Sequence, residues 1–512
     1  MINLINIPTQ ELTMKRKKFL TALFTSAGLS LAVISCGGGG DSSSTATVQT
    51  KTYLAYKASI HLVDPDTLNS TQISDKPTLD TASLMVVNSF NVNTRQYSDL
   101  HVDSIYWIEE ADNNTGQTNG GPIKGISVVK TDQQPQAKQI SNTDSACYFL
   151  NTYEDYVNRI FYSVVQTAGA DGECNTQDDK SVFISSLMGS NDTAIDLDGK
   201  NIITDIDKGT GITGFVVWNN TEWTLYKCDT NLSNCSQLMD NVLSVSDFVS
   251  NPKTFDEYLC INNELYLFDG NQLTDRNVSC GNYDNTEADG NAIYARNANN
   301  ETIEKLDHSG TDGWLTIYDG GDVQWIAGIT QNYVVFVTDN GTLKAVKKDG
   351  SETLEIENQG TITDAYIQST KVFYNKETNN TSYACVWDEE NNDVSCEENA
   401  QWIGFSLAPF GTLLEVDGNP IPVYKMLKES GSTIYSVDPA QTTDKLKLGQ
   451  LPPNYVYPYA FGIGNNLLLV ALDELNGEQS DIFFIDVSEE NSLKQLTNST
   501  DKNEWPIWEE EI

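Results

Sequence analysis

From residue 50 onward, short stretches of alternating apolar and polar residues recur, each broken by Asp, Pro, Gly or Asn. Ile60-His61-Leu62-Val63 turns at Asp64-Pro65-Asp66 and returns through Thr71-Gln72-Ile73. Leu343-Lys344-Ala345-Val346 turns at Lys348-Asp349-Gly350 and returns through Thr353-Leu354-Glu355-Ile356. Ile482-Phe483-Phe484-Ile485 turns after Asp486 and returns through Leu493-Lys494-Gln495-Leu496. Period-two alternation with these residues in the breaks predicts β-hairpins. A further strand precedes most hairpins, as in Arg159-Ile160-Phe161-Tyr162, Tyr333-Val334-Val335-Phe336 and Lys371-Val372-Phe373-Tyr374. After residue 50 no helical periodicity of useful length is present.

Return strands come at intervals of roughly 40–65 residues, and four short strands in that span make the blade of a propeller. The pattern predicts an all-β chain. Residues 51–512 are expected to form a single β-propeller of four-stranded blades, with eight blades the central expectation in a range of seven to ten. Trp107, Trp218, Trp223, Trp387 and Trp402 are expected chiefly to pack between blades. Because an open ring would leave two unpaired sheet edges, the segment 52–57 is expected beside the C-terminal blade, 467–496. The acidic runs 388–393 and 509–511 are expected as a solvated turn and a solvated tail.

The last repeat carries a family resemblance. Leu496-Thr497-Asn498 followed by Trp505-Pro506-Ile507-Trp508 resembles the TolB-type propeller repeat. The Ser-Pro-Asp-Gly that usually follows is replaced by Glu509-Glu510-Glu511. This resemblance implies a fold and no particular function.

The N-terminal segment has a different character. Met14 is followed by Lys15-Arg16-Lys17-Lys18 and then by an apolar run from Phe19 to Ala32. A basic stretch leading into such a run is the form of an export signal, and Met14 is the expected start. The run ends at Val33-Ile34-Ser35-Cys36, which resembles the lipobox of bacterial lipoproteins. The resemblance implies a leader over 1–35, lipidation of Cys36, and a tether over 36–50 opening with Gly37–Gly40 and Ser42–Ser44. It places the body at the bacterial cell envelope, anchored to the membrane by lipid, with the outer membrane the expected site.

The chain holds 31 Lys and Arg against 72 Asp and Glu, a net charge of −41. Loss of Lys15, Arg16, Lys17, Lys18 and Glu11 with the leader leaves 27 cations and 71 anions, hence −44. Such a field repels nucleic acid and disfavours it as a partner. Eight body cysteines in an exported chain suggest disulfides, and their spacing predicts sequential pairing: Cys147–Cys174, Cys228–Cys235, Cys260–Cys280 and Cys385–Cys396.

Chemistry-bearing constellations are few. His61, His101 and His308 lie far apart without metal-ligand spacing, and no Gly-x-Ser-x-Gly elbow accompanies them. All three are expected at surface or inter-blade positions, and no catalytic residue is assigned. The loop bearing Asp171, Glu173, Asn175, Asp178 and Asp179 sets hard oxygens at close spacing, as calcium requires. It departs from the EF-hand at Thr176 and Val182, and a solvated acidic turn is the competing reading. Calcium is the only cofactor the sequence raises. The resulting expectation is an envelope lipoprotein whose propeller binds or scaffolds a protein or glycan partner without catalysis. The alternatives are a propeller hydrolase or lyase acting on extracellular polysaccharide and a calcium-dependent surface adhesion protein.

Overall fold

The computed structural model describes strands from Thr50 to Glu511 and, between 236 and 497, most of the turns and side chains; residues 1–49 and the remaining connections lie outside the described residues. The described strands form ten four-stranded antiparallel sheets. In sheets 2 to 10 the strands are designated a to d in chain order; in sheet 1 they are designated by the equivalent place in the sheet. Sheet 5 comprises Val245–Ser250, Glu257–Ile261, Glu264–Phe268 and Leu273–Ser279. Sheet 6 comprises Tyr283–Ala288, Ala292–Asn297, Thr302–Asp307 and Leu315–Tyr318. Sheet 7 comprises Val323–Ile329, Tyr333–Thr338, Leu343–Lys347 and Thr353–Glu357. Sheet 8 comprises Thr361–Gln368, Lys371–Thr378, Thr381–Asp388 and Asp393–Glu398. Sheet 9 runs from Ala400 to Gln450 and sheet 10 from Tyr455 to Gln495. Ten sheets stand at the upper edge of the expected range. Short strands such as Tyr148–Leu150 and Thr193–Ile195 lack enough residues to show an alternation.

Sheet 1 explains how the series closes. Its strands b, c and d are Thr50–Tyr56, Ser59–Val63 and Ser70–Gln72, while Trp505–Glu511 supplies strand a. The register sets Thr50 opposite Glu511 and Ala55 opposite Trp505. Trp505–Glu511 also lies against Asn466–Asp473 of sheet 10. The N-terminal strand therefore closes the propeller, but its partner is not the expected 467–496 hairpin. The run 509–511 is part of that partner strand and not a solvated tail: paired backbone groups outweigh the cost of three carboxylates at a strand end.

Strand chemistry follows depth in each sheet. In sheet 7, strand b (YVVFVT) is buried at every position, as a strand covered on both faces must be. Its outer strand TLEIE alternates exposed and half-buried residues. Two-residue b–c hairpins use residues that tolerate positive φ, with Asn262 and Asn263 at 53° and 68° and Asn379 and Asn380 at 52° and 62°. The core is divided between neighbouring sheets. One cluster joins Val335, Val337 and Leu343 of sheet 7 to Val372, Tyr374 and Trp387 of sheet 8. Another joins Phe373 and Val386 of sheet 8 to Trp402 and Met426 of sheet 9. Each fully buried aliphatic or aromatic side chain contributes about 1.5–3 kcal/mol, so the hydrophobic stabilisation is gained only when sheets stack.

Candidate functional site

The end of the molecule that carries the a–b and c–d turns concentrates ionisable groups. Each of three successive c strands is followed by a residue that makes two kinds of contact. The backbone N–H of His308 donates to Asn291 O at 2.9 Å, that of Lys348 to Asn332 O at 3.0 Å, and that of Glu389 to Thr370 O at 2.8 Å. In every case the acceptor lies in the a–b turn of the same sheet. The side chain of the same residue reaches the preceding sheet. His308 Nδ1 lies 2.9 Å from Tyr258 Oη, Lys348 Nζ pairs with Asp289 Oδ2 at 2.8 Å, and Glu389 Oε1 accepts from Asn332 Nδ2 at 2.5 Å. One chain position, repeated in sheets 6, 7 and 8, thus fastens each sheet to its predecessor.

The geometry defines what these groups can do. His308 Nε2 lies 2.7 Å from the Asp289 carbonyl oxygen, which only accepts, so Nε2 carries the proton. Nδ1 is then the acceptor for the Tyr258 hydroxyl. Arg276 donates to the carbonyls of His308, Asp307 and Gly310 at 2.6, 3.1 and 2.8 Å, and its guanidinium lies over the Tyr258 ring. Burial lowers the His308 pKa, an effect that Asp289 opposes. Burial likewise raises the Tyr258 pKa. Burial works against ionisation of Asp289, but Lys348 and the N–H groups of Asn291 and Ala292 outweigh it and hold the carboxyl below its ordinary range. The Asp289 carboxylate therefore serves Lys348, the Tyr294 hydroxyl and its own turn, and the part of Asp289 that His308 meets is the carbonyl oxygen. This is not the carboxylate–imidazole–nucleophile relay of a hydrolase.

A second line of charges crosses the sheet interfaces. Lys376 of sheet 8 pairs with Glu357 of sheet 7 at 2.7 Å. Lys428 and Lys445 of sheet 9 converge on Glu397 of sheet 8 at 2.6 and 3.1 Å, with Lys428 over the Trp402 ring. Burial opposes the Glu397 charge, but hydrogen bonds from Lys428, Ser430 and Lys445 bring its pKa down to about 2. Lys344 of sheet 7 meets Asp322 at 2.9 Å and the Tyr318 hydroxyl of sheet 6 at 3.0 Å.

Cysteines and expected metal ligands fall as follows. Cys260 is bonded to Cys280 and Cys385 to Cys396. Cys385 and Cys396 are direct partners across strands c and d of sheet 8. Glu357 Oε approaches both of these sulfurs, yet disulfide sulfurs are not thiolate ligands and Glu357 already pairs with Lys376. Cys36, Cys147, Cys174, Cys235, His101 and the calcium candidates Asp171, Glu173, Asn175, Asp178 and Asp179 lie outside the described residues, and Cys228 is described only as the end of a strand. His61 is a buried residue of Ser59–Val63. Trp387 and Trp402 are buried between sheets. His308 lies between sheets, within the expected surface or inter-blade placement, whereas Lys348 and Glu389 escaped sequence reasoning because the residue types at the three positions differ. Their signal is a spacing of 40 and 41 residues, each directly after a c strand.

The chain matches no protein-family profile and no curated protein. Among solved structures it is similar to the tricorn protease at 9% identity and a TM-score of 0.32, over 88% of this chain and 58% of that one. It is also similar to BamB from Moraxella catarrhalis at 9% identity and TM-score 0.30, covering 64% of this chain and 84% of that one. The β-propeller domain of the Trilobed protease from Pyrococcus furiosus gives 10% identity and TM-score 0.28, covering 71% and 97%. The chain spans little more than half the length of the tricorn protease, and likenesses at this level carry no activity across. The propeller assignment stands on strand order and closure.

Proposed function

We propose that this chain is an envelope lipoprotein, anchored through Cys36, whose propeller acts as a rigid binding or scaffolding surface without catalysis. The observation that carries the non-catalytic part is the use made of its ionisable groups. His308, Asp289, Lys348, Lys376, Glu357, Lys428 and Glu397 all hold one sheet to the next. A platform made stiff in this way presents turns in a fixed arrangement, which lowers the ordering cost of binding. The lipobox-like Val33-Ile34-Ser35-Cys36 supports the anchor.

Two measurements test the reading. Lipidation is tested by palmitate labelling and fractionation of wild type and Cys36→Ser. The wild type is expected to label and to pellet with membranes, and the variant to do neither; a variant that still labels and pellets removes the anchor. Binding is tested by crosslinking in intact envelopes with the body as bait. A recurrent partner is expected, whereas turnover of extracellular polysaccharide by the purified protein would replace scaffolding with catalysis.

A further inference from the structure

The direction of the strands in sheet 1 fixes where the chain leaves the ring. In the described sheets 5 to 8, each a strand runs toward the a–b turn, and the c–d turn returns at the same end of the sheet. The cross-sheet bonds of His308, Lys348 and Glu389 bring these turns together at one end of the molecule. The b–c turns, such as 262–263, 339–342 and 379–380, lie at the other end.

Among the described sheets, sheet 1 alone has a and b strands that are not consecutive in sequence. Its strand a ends at Glu511 and its strand b begins at Thr50, and the two residues face each other in the register. The place occupied elsewhere by an a–b turn is here the place where the chain enters strand b from its N-terminal side. The segment arriving from Cys36 therefore reaches the ring at the end that carries the a–b and c–d turns.

From this geometry we infer that the propeller is held with its a–b and c–d turns toward the lipid surface and its b–c turns facing away. The inference rests on the proposed anchor. From Cys36 to Thr50 is fourteen residue steps. Fourteen steps of a sequence this rich in Gly and Ser correspond by composition to a root-mean-square reach of about 20 Å. Strands of the length seen in sheet 7 rise about 20 Å from one end of the sheet to the other. Turning the b–c end toward the membrane would therefore consume the tether's whole typical span in climbing the sheet. The register also sets Glu509, Glu510 and Glu511 opposite Thr52, Lys51 and Thr50. Carboxylates at the exit repel anionic headgroups over about 8 Å, so the near face stands off the lipid and is not pressed into it.

Gln331 and Gln359 supply matched probes. Both are exposed and both belong to turns of sheet 7, Gln331 in the a–b turn and Gln359 in the turn after strand d, at opposite ends. Full-length lipidated protein carrying Gln331→Cys or Gln359→Cys is labelled with a fluorophore and bound to phosphatidylcholine vesicles containing a headgroup nitroxide lipid. The Gln331 probe is expected to be quenched about twofold or more beyond the Gln359 probe, given an end-to-end separation of about 20 Å. Equal quenching, or the reverse order, overturns the orientation. A forty-residue Gly/Ser insertion after Ser44 should erase the difference, and a difference that survives it overturns the tether as its cause. Acyl-chain mass and vesicle binding are read on the same samples. A chain without acyl groups that fails to bind vesicles brings down the anchor itself, a result distinct from a lipidated, bound chain with equal quenching.

Discussion

The side chains after the c strands show how individual residues make a ring from separate sheets. Lys348 and Asp289 have side-chain exposures of only 17% and 10%, so the pair is poorly screened by solvent. Removing one member of a buried pair strands the other, at a cost of about 3–5 kcal/mol, whereas removing both can be nearly neutral. Lys348→Met is accordingly expected to destabilise by about 3 kcal/mol and Asp289→Asn by less, because its amide still meets the turn. The double variant should recover much of the single losses, giving a coupling of on the order of 2 kcal/mol in denaturant melts. The pH dependence has a definite sign. The folded carboxyl titrates below its ordinary value of 3.8, so the contribution of the pair is present above that value and is lost as the pH falls beneath it. Additive single effects, or a coupling unchanged through that range, would exclude the pair as a fastening element.

At the scale of strands and hairpins, alternation and turn residues made much of the architecture legible. The hairpins at 343–356 and 482–496 and the leading strands at 333–336 and 371–374 all appear in the predicted segments. The inner strands were harder to read. Tyr283–Ala288 has the sequence YDNTEA, with few apolar residues to mark a strand, because its backbone pairing and the neighbouring sheet hold it in place. Trp505–Glu511 was hidden for a related reason. A strand whose partner is 450 residues away carries no local hairpin signal, and its three glutamates suggested a tail. The ionic contacts between sheets were invisible because each joins groups 19 to 59 residues apart. The hairpin disulfide, by contrast, was readable from the turn-rich run between Cys385 and Cys396. In the chain-entropy account a loop of this size is worth about 3 kcal/mol, so Cys385→Ala/Cys396→Ala should lose roughly that much. Peptide mapping without reduction should recover Cys385 joined to Cys396 and Cys260 to Cys280. Recovery of mixed pairs such as Cys260 with Cys396 would overturn both assignments.

For the whole molecule, the division of the core among sheet interfaces makes closure a matter of stability and not of topology alone. A sheet in the middle of the series packs on two neighbours, as sheet 8 does on sheets 7 and 9. Without Trp505–Glu511, sheet 1 would lose its inner strand and sheet 10 the strand that lies against it. One edge would open in sheet 1, with unpaired N–H and C=O groups on Thr50–Tyr56, and sheet 10 would lose a packing neighbour. Near-neighbour coupling would then let opening spread inward from both ends, as it does in linear repeat arrays. Truncation before Trp505 is therefore expected to speed amide exchange in sheets 1 and 10 first and to broaden the thermal transition. Sheets 6 to 8, with their His308, Lys348 and Glu389 contacts, should keep the slowest exchange. A variant that instead blocks pairing within strand b, such as Tyr53→Pro, removes a backbone donor from the same junction and should produce the same pattern while leaving the C-terminal strand in the chain. Hydrogen-exchange mass spectrometry separates the outcomes. Faster exchange confined to 50–72 in both variants would mean that the first and last strands merely cap one sheet, while coupled loss across sheets 1 and 10 is the mark of a ring under common closure.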